Sequence, residues 1–255
     1  MTPPAPPVRA RRRTALAVVL CAGLTAALTA CGGDEDPDEG TNGVGRLTAV
    51  QIEKKAQKAA DSAPAVRLAG SLVSKGGTYK LDMQLKADGG TGSVVSKNST
   101  FELLRIGDEL YLKADAGFWS HDEGAGADSE AGGAAADKLR DKYVKVPQDD
   151  PTYKQLRGFT DKKTLLDGLL TLHGTLAKGD RKEIGATRTI QIAGDEGAGG
   201  TLDVSLEGTA YPLRFARGGG GGTVLLSDWG KNFPLEAPEK QDTVDYGKQL
   251  PRTTS

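Results

Sequence analysis

Between Val66 and Leu85 apolar and polar residues alternate with a period of two, and no other feature restricts the fold as much. Val66, Leu68, Gly70 and Leu72 alternate with Arg67, Ala69, Ser71 and Val73, and Tyr79, Leu81, Met83 and Leu85 alternate with Lys80, Asp82, Gln84 and Lys86. Successive side chains of a strand point to opposite faces, so this pattern makes two half-buried antiparallel strands, turned at Lys75-Gly76-Gly77. A third strand from about Thr100 to Ile106 and a fourth from Glu109 to Ala114 flank Gly107-Asp108, a two-residue turn. That turn sets Ile106 opposite Glu109, Arg105 opposite Leu110, Leu103 opposite Leu112 and Glu102 opposite Lys113. One face then carries Phe101, Leu103, Leu110 and Leu112, and the other an opposite-charge pair.

A sheet with one apolar face needs a cover, and two helical stretches can supply it. Thr48 followed by Gln51 makes a capping box, with Leu47 and Ile52 at the staple positions, for a helix from about Ala49 to Asp61 that Pro64 ends. Thr160 caps a second helix from Asp161 to about Leu172, whose leucines 165, 166, 169, 170 and 172 form a broad apolar stripe. Tyr143-Val144-Lys145-Val146 reads as a short strand closed by Pro147. Further strands are expected at Thr187–Ile192, Leu202–Glu207, Tyr211–Ala216 and Thr223–Leu226, with Gly218 to Gly222 as a hairpin loop between the last two. His121 to Ala136 is low-complexity Gly, Ala and acid, a surface insertion at about 120–133 that blends into a short helix through Lys138 and Leu139.

The N-terminal 30 residues do not belong to this domain. Arg9, Arg11, Arg12 and Arg13 precede an apolar run from Thr14 to Ala27, a secretory layout too short for the about 20 residues of a membrane span. Leu28-Thr29-Ala30-Cys31 follows and resembles the lipobox of bacterial lipoproteins. In those proteins the cysteine receives a diacylglyceryl group and becomes the mature N-terminus. The resemblance implies a lipid anchor at Cys31 and a chain held on the extracytoplasmic face of the cell membrane. Gly32 to Gly45 has five acids and no large hydrophobe except Val44, which reads as a flexible tether. Cys21 leaves with the signal, so no disulfide or thiol nucleophile remains and the core alone must hold the domain.

The catalytic inventory is thin. The mature part has 29 basic against 34 acidic residues, and no basic, aromatic-interleaved stretch that would take nucleic acid. Only His121 and His173 are present, without the spacing of a metal site, and no Gly-x-Ser-x-Gly elbow offers a nucleophile to His173. Asp149-Asp150 sits beside Pro151 in a turn rather than across a cleft. The glycines 218–222 lead into Val224-Leu225-Leu226 rather than a Lys-Ser/Thr helix, so they are no phosphate loop. No catalytic residue, metal ligand or cofactor is assigned, and no enzyme activity is expected.

The lipobox, N-terminal helix, strands, leucine helix, Tyr111-Leu112-Lys113-Ala114-Asp115, Lys142-Tyr143-Val144-Lys145-Val146-Pro147, Tyr211-Pro212-Leu213-Arg214 and Ser227-Asp228-Trp229-Gly230 together resemble an actinobacterial lipoprotein of the LppX/LprG type. The resemblance covers about residues 46 to 250. It implies the LolA-like fold, an α+β half-barrel in which a curved antiparallel sheet is covered on its concave face by helices. It also implies an apolar cavity for acyl lipid or glycolipid. The cavity residues that follow are Leu68, Leu81, Met83, Leu85, Leu103, Leu112, Leu165 and Leu169. The competing reading is a non-enzymatic scaffold or signalling lipoprotein of the same fold with a filled core.

Overall fold

The computed structural model describes residues 37–74, 77–97, 99–115, 118, 139, 141–245 and 247, all in the unit that begins at Pro37. The signal segment, Cys31 and the insertion at about 120–133 lie outside the described residues.

In chain order the elements are a 3-10 turn Val44–Arg46, α1 Ala49–Ser62, β1 Ala65–Ser74, β2 Gly77–Lys86, β3 Gly89–Val95, β4 Thr100–Ile106, β5 Glu109–Ala114 and β6 Tyr143–Val146. They continue with α2 Pro151–Thr160, α3 Lys162–Leu170, β7 Leu176–Ile184, β8 Thr187–Gly194, β9 Thr201–Ser205, β10 Pro212–Ala216, β11 Gly222–Ser227 and β12 Thr243–Asp245. The strands form one open, curved sheet in the order β12-β6-β5-β4-β3-β2-β1-β11-β10-β9-β8-β7. All pairings are antiparallel except β12 beside β6. The sheet is thus two meanders, β1 to β6 and β7 to β11, each built from strands consecutive in sequence. They meet at the β1–β11 ladder, where Leu68 faces Leu226 and Gly70 faces Val224.

The register expected for β4 and β5 is present: Leu103 pairs with Leu112, Glu102 with Lys113 and Ile106 with Glu109. In the first hairpin Leu68 of β1 pairs with Met83 of β2. The capping box is formed: the Gln51 N–H donates to Thr48 Oγ1 at 3.3 Å and the Thr48 N–H to Gln51 Oε1 at 3.0 Å. Helix α1 buries Ala49, Ile52, Ala56 and Ala60, a narrow stripe that packs over β7 to β10. Helix α2 buries Tyr153, Leu156 and Thr160 over β2 to β4, and α3 touches both other helices.

Four features differ from the sequence expectation. Asp150 and Pro151 do not make a mere turn: Asp150 accepts from the Thr152 N–H at 2.8 Å and Pro151 opens α2. The leucine helix is shorter, Lys162–Leu170, because its cap is Asp161, while Thr160 ends α2. Strands β3, β7 and β12 have no counterpart among the expected strands. Finally, the part of the tether from 38 to 45 is bound to the domain rather than free. Asn42 Nδ2 donates to the carbonyls of Ser205 at 3.0 Å and Gly208 at 3.1 Å, Asp38 pairs with Arg181 at 2.7 Å, and Val44 is fully buried. Small polar residues lack a core to bury, but they can still satisfy backbone groups at the end of a sheet.

Candidate functional site

One alternating set of apolar strand residues faces the helices, while Leu104, Tyr111 and Leu225 lie on the other face. Pairing carries the helix-facing side across the sheet from Val144 and Val146 on β6, through Leu110 and Leu112 on β5, to Leu202 on β9 and Ile192 on β8. All eight sequence-predicted cavity residues lie in one apolar cluster on this face. Leu68, Leu81, Met83, Leu85, Leu103 and Leu112 come from the strands, and Leu169 and the half-buried Leu165 from α3. The middle of the cluster is aliphatic. Aromatic rings gather at one side, where Phe101 lies 5.4 Å from Phe118 and 6.5 Å from Phe159 between ring centres.

Two buried cations tie the helical cover to the sheet and to itself. Arg105, on the same face of β4 as Leu103, is 3% exposed and reaches the C-terminus of α2. Its Nη2 donates to the Thr160 carbonyl at 2.9 Å, its Nε to Thr160 Oγ1 at 3.1 Å and its Nη1 to the Gly107 carbonyl at 2.7 Å. Lys162, the first residue of α3, donates from Nζ to the carbonyls of Ala60, Asp61 and Ala63 at 3.1, 3.0 and 2.6 Å, the open end of α1. Helix C-termini carry unsatisfied carbonyls and a partial negative charge, so both contacts are favourable in position. Burial is the main influence on both groups and lowers their pKa values. Between them Asp161 ends α2 and caps α3, accepting from the Thr164 N–H at 2.8 Å. The period-two pattern of β4 already placed Arg105 on the Leu103 face, a signal that marks it as a buried cation. Nothing comparable in sequence marked Lys162.

The opposite face is mostly polar. Arg67 grips Asp82 through two bonds, Nε to Oδ1 at 2.9 Å and Nη2 to Oδ2 at 2.7 Å. Arg214 grips the fully buried Asp203 at 2.7 Å, and Gln191 donates to the same carboxylate at 3.3 Å. Three depressions lie on this face, of about 240 Å³ beside Phe233 and Asn232, about 300 Å³ beside Thr91 and Glu102, and about 500 Å³ beside Arg214, Lys80 and Leu225. The first two are both bounded by Arg67 and Gln84, so they adjoin. The exposed His173 lies just beyond α3, and Trp229, stacked on Tyr211 at 4.9 Å, donates to the Pro212 carbonyl at 3.0 Å. Among the described residues no group of three or more His, Cys, Asp or Glu is placed to hold a metal ion, and no helix is long and apolar enough to cross a membrane.

No protein-family model and no curated protein matches the sequence. Among solved structures, the chain is similar to LprF from Mycobacterium bovis, with TM-score 0.48 and 16% identity over 74% of this chain and 96% of that one. It is also similar to the Mycobacterium tuberculosis lipoprotein LppX, with TM-score 0.45 and 14% identity over 74% of this chain and 98% of that one. An uncharacterized conserved protein from Thermus thermophilus aligns with TM-score 0.36 and 11% identity over 77% of this chain and 98% of that one.

Proposed function

We propose that this chain is a cell-envelope lipoprotein, anchored at a diacylglyceryl Cys31 on the extracytoplasmic face of the membrane, that binds an acylated lipid between its sheet and its helices without catalysing a reaction. The observation that carries the reading is the continuous aliphatic face of the sheet, on which α1 lies over β7 to β10 and α2 over β2 to β4. The face in question is aliphatic and so suited to alkyl chains. Each buried methylene contributes about 0.8 kcal/mol, so a ten-carbon segment gains roughly 8 kcal/mol before ordering costs. Leu68, Leu81, Met83, Leu85, Leu103, Leu112, Leu165 and Leu169 would touch the chain.

The filled-core scaffold or signalling reading is favoured by a different observation. Leu68, Met83, Leu85 and Leu112 are at 0% exposure, which leaves no water-sized void against them. A ligand would therefore enter by displacing the helices, and a scaffold would never admit one. The two readings separate by experiment. The chain extracted in detergent and analysed by native mass spectrometry should carry acyl lipid in addition to its anchor, and Leu169→Trp should reduce that occupancy. A chain without extra lipid, in which Leu169→Trp costs about 1–3 kcal/mol as overpacking of a solid core does, excludes the carrier. Anchoring is tested independently: Cys31→Ser should leave a soluble or unprocessed form, because a diacylglyceryl cysteine supplies the two chains that stable attachment needs, and a parent chain that fractionates as soluble with unmodified Cys31 would overturn the anchor.

A further inference from the structure

The polar groove on the face away from the helices has no part in the acyl-chain reading, yet it is formed from several elements. The segment after β11 turns at Asp228, a non-glycine residue held in the left-handed region with φ 53°. The turn is fastened by Lys231, whose Nζ lies 2.7 Å from Asp228 Oδ1, and by the Gly230 N–H, which donates to the Ala65 carbonyl at 2.9 Å. This places Asn232 and the ring of Phe233 beside Arg67 and Gln84 of β1 and β2. Lys86 lies over the Phe233 ring at 4.6 Å and braces it. The second depression continues the groove past Asp82 towards Glu102 on β4.

The charges decide what could occupy it. Arg67 is matched by Asp82 and Lys231 by Asp228, and Glu102 stands opposite Lys113 in the β4–β5 register. A free anion or cation would have to displace a partner, so the groove favours an uncharged occupant. At the same time Arg67 and Asp82 remain 42% and 48% exposed, and each keeps donor or acceptor capacity beyond the bonds it makes. Gln84 and Asn232 offer both donor and acceptor on one group. Paired donors and acceptors at fixed spacing, with an aromatic ring at one end, match vicinal hydroxyls and an apolar C–H face. The two depressions suit several sugar rings rather than a large ligand. We propose that this groove binds a neutral saccharide chain, at a site separate from the acyl-binding face.

The test uses the full chain in a phosphocholine detergent, which has no sugar head group, titrated with maltotetraose and with tetra-N-acetylchitotetraose up to about 10 mM, the range of weak binding. At least one tetrasaccharide should shift the amide resonances of residues 67, 82, 84, 102, 232 and 233. Gln84→Ala and the exposed Asn232→Ala should each weaken binding about tenfold, which removal of one or two hydrogen bonds predicts. Lys182→Ala on β7 should leave it unchanged. Amide spectra and melting temperatures establish that the variants are folded. The proposal is overturned if neither sugar moves these resonances, if both variants bind as the parent does, or if inorganic phosphate moves the same resonances and the sugars do not.

Discussion

At the scale of single residues, the junction between α2 and α3 concentrates most of the electrostatic design. Asp161 serves both helices, with Arg105 behind it and Lys162 beside it, and its pKa is lowered. Burial alone would raise it, but the bonds from Thr164 and the charge of Arg105 outweigh that. A carboxylate depressed in the folded state contributes stability that is fully present above its unfolded value near pH 4 and is lost as pH falls through the folded value. Asp161→Asn keeps an oxygen cap and removes only the charge. The parent should therefore be the more stable at pH 7, and the gap in denaturant midpoints should close below about pH 4. An equal gap at pH 7 and pH 2.5 would show that the charge contributes nothing.

Among the elements, the sequence was informative wherever a side-chain period or a cap carried the signal. Helix α1 followed from Thr48 and Gln51, β1 and β2 from strict alternation, and β4 and β5 from the Gly107-Asp108 turn. Strand β3 was hidden because Gly89, Gly90 and Gly92 read as loop, although sheet geometry requires at least one of them. A Cβ at Gly90 would lie 2.6 Å from Leu85 Cδ2 and 3.0 Å from the Thr160 carbonyl, so the glycine is where the end of α2 rests on the sheet. Gly90→Ala should cost about 1–3 kcal/mol in denaturant unfolding, since neither the buried Leu85 nor the Arg105-bound carbonyl has room to move. Gly158→Ala, on α2 with open space at its Cβ, should instead add about 0.5–1 kcal/mol. Strand β7 was missed for another reason. Its residues Lys178, Asp180, Arg181, Lys182 and Glu183 are exposed at the sheet edge, where charge guards against pairing with other chains and leaves no alternation to read. Of the candidate site, the aliphatic face was legible residue by residue. The outer groove was not, because it joins residues from β1, β2 and the stretch after β11 that only the tertiary fold brings together.

For the whole molecule, the β1–β11 ladder is the seam that joins the two meanders, and its strands lie further apart in sequence than those of the β6–β12 pair. The cover crosses this seam: α1 precedes the first meander but packs over the second, while α2 stands on the first. A Cβ at Gly70 would meet the Thr223 carbonyl and lie 2.7 Å from Val224 Cα, so Gly70→Val should open the seam. Hydrogen exchange should then rise in β8 to β10 as well as in β1 and β2, whereas a change confined to β1 would mean that the halves are energetically independent. The same topology sets an order of assembly. Each meander can zip locally at small entropic cost, but closing the seam requires a very long loop, so the halves should form before they join. A chain made from its N-terminus therefore holds β1 ready, with Val66 and Leu68 on an unpaired edge, until nearly all the rest has followed. The strand that begins the sheet waits through the longest stretch of chain for its second neighbour, and until Leu226 arrives it is where this protein is most open to the wrong one.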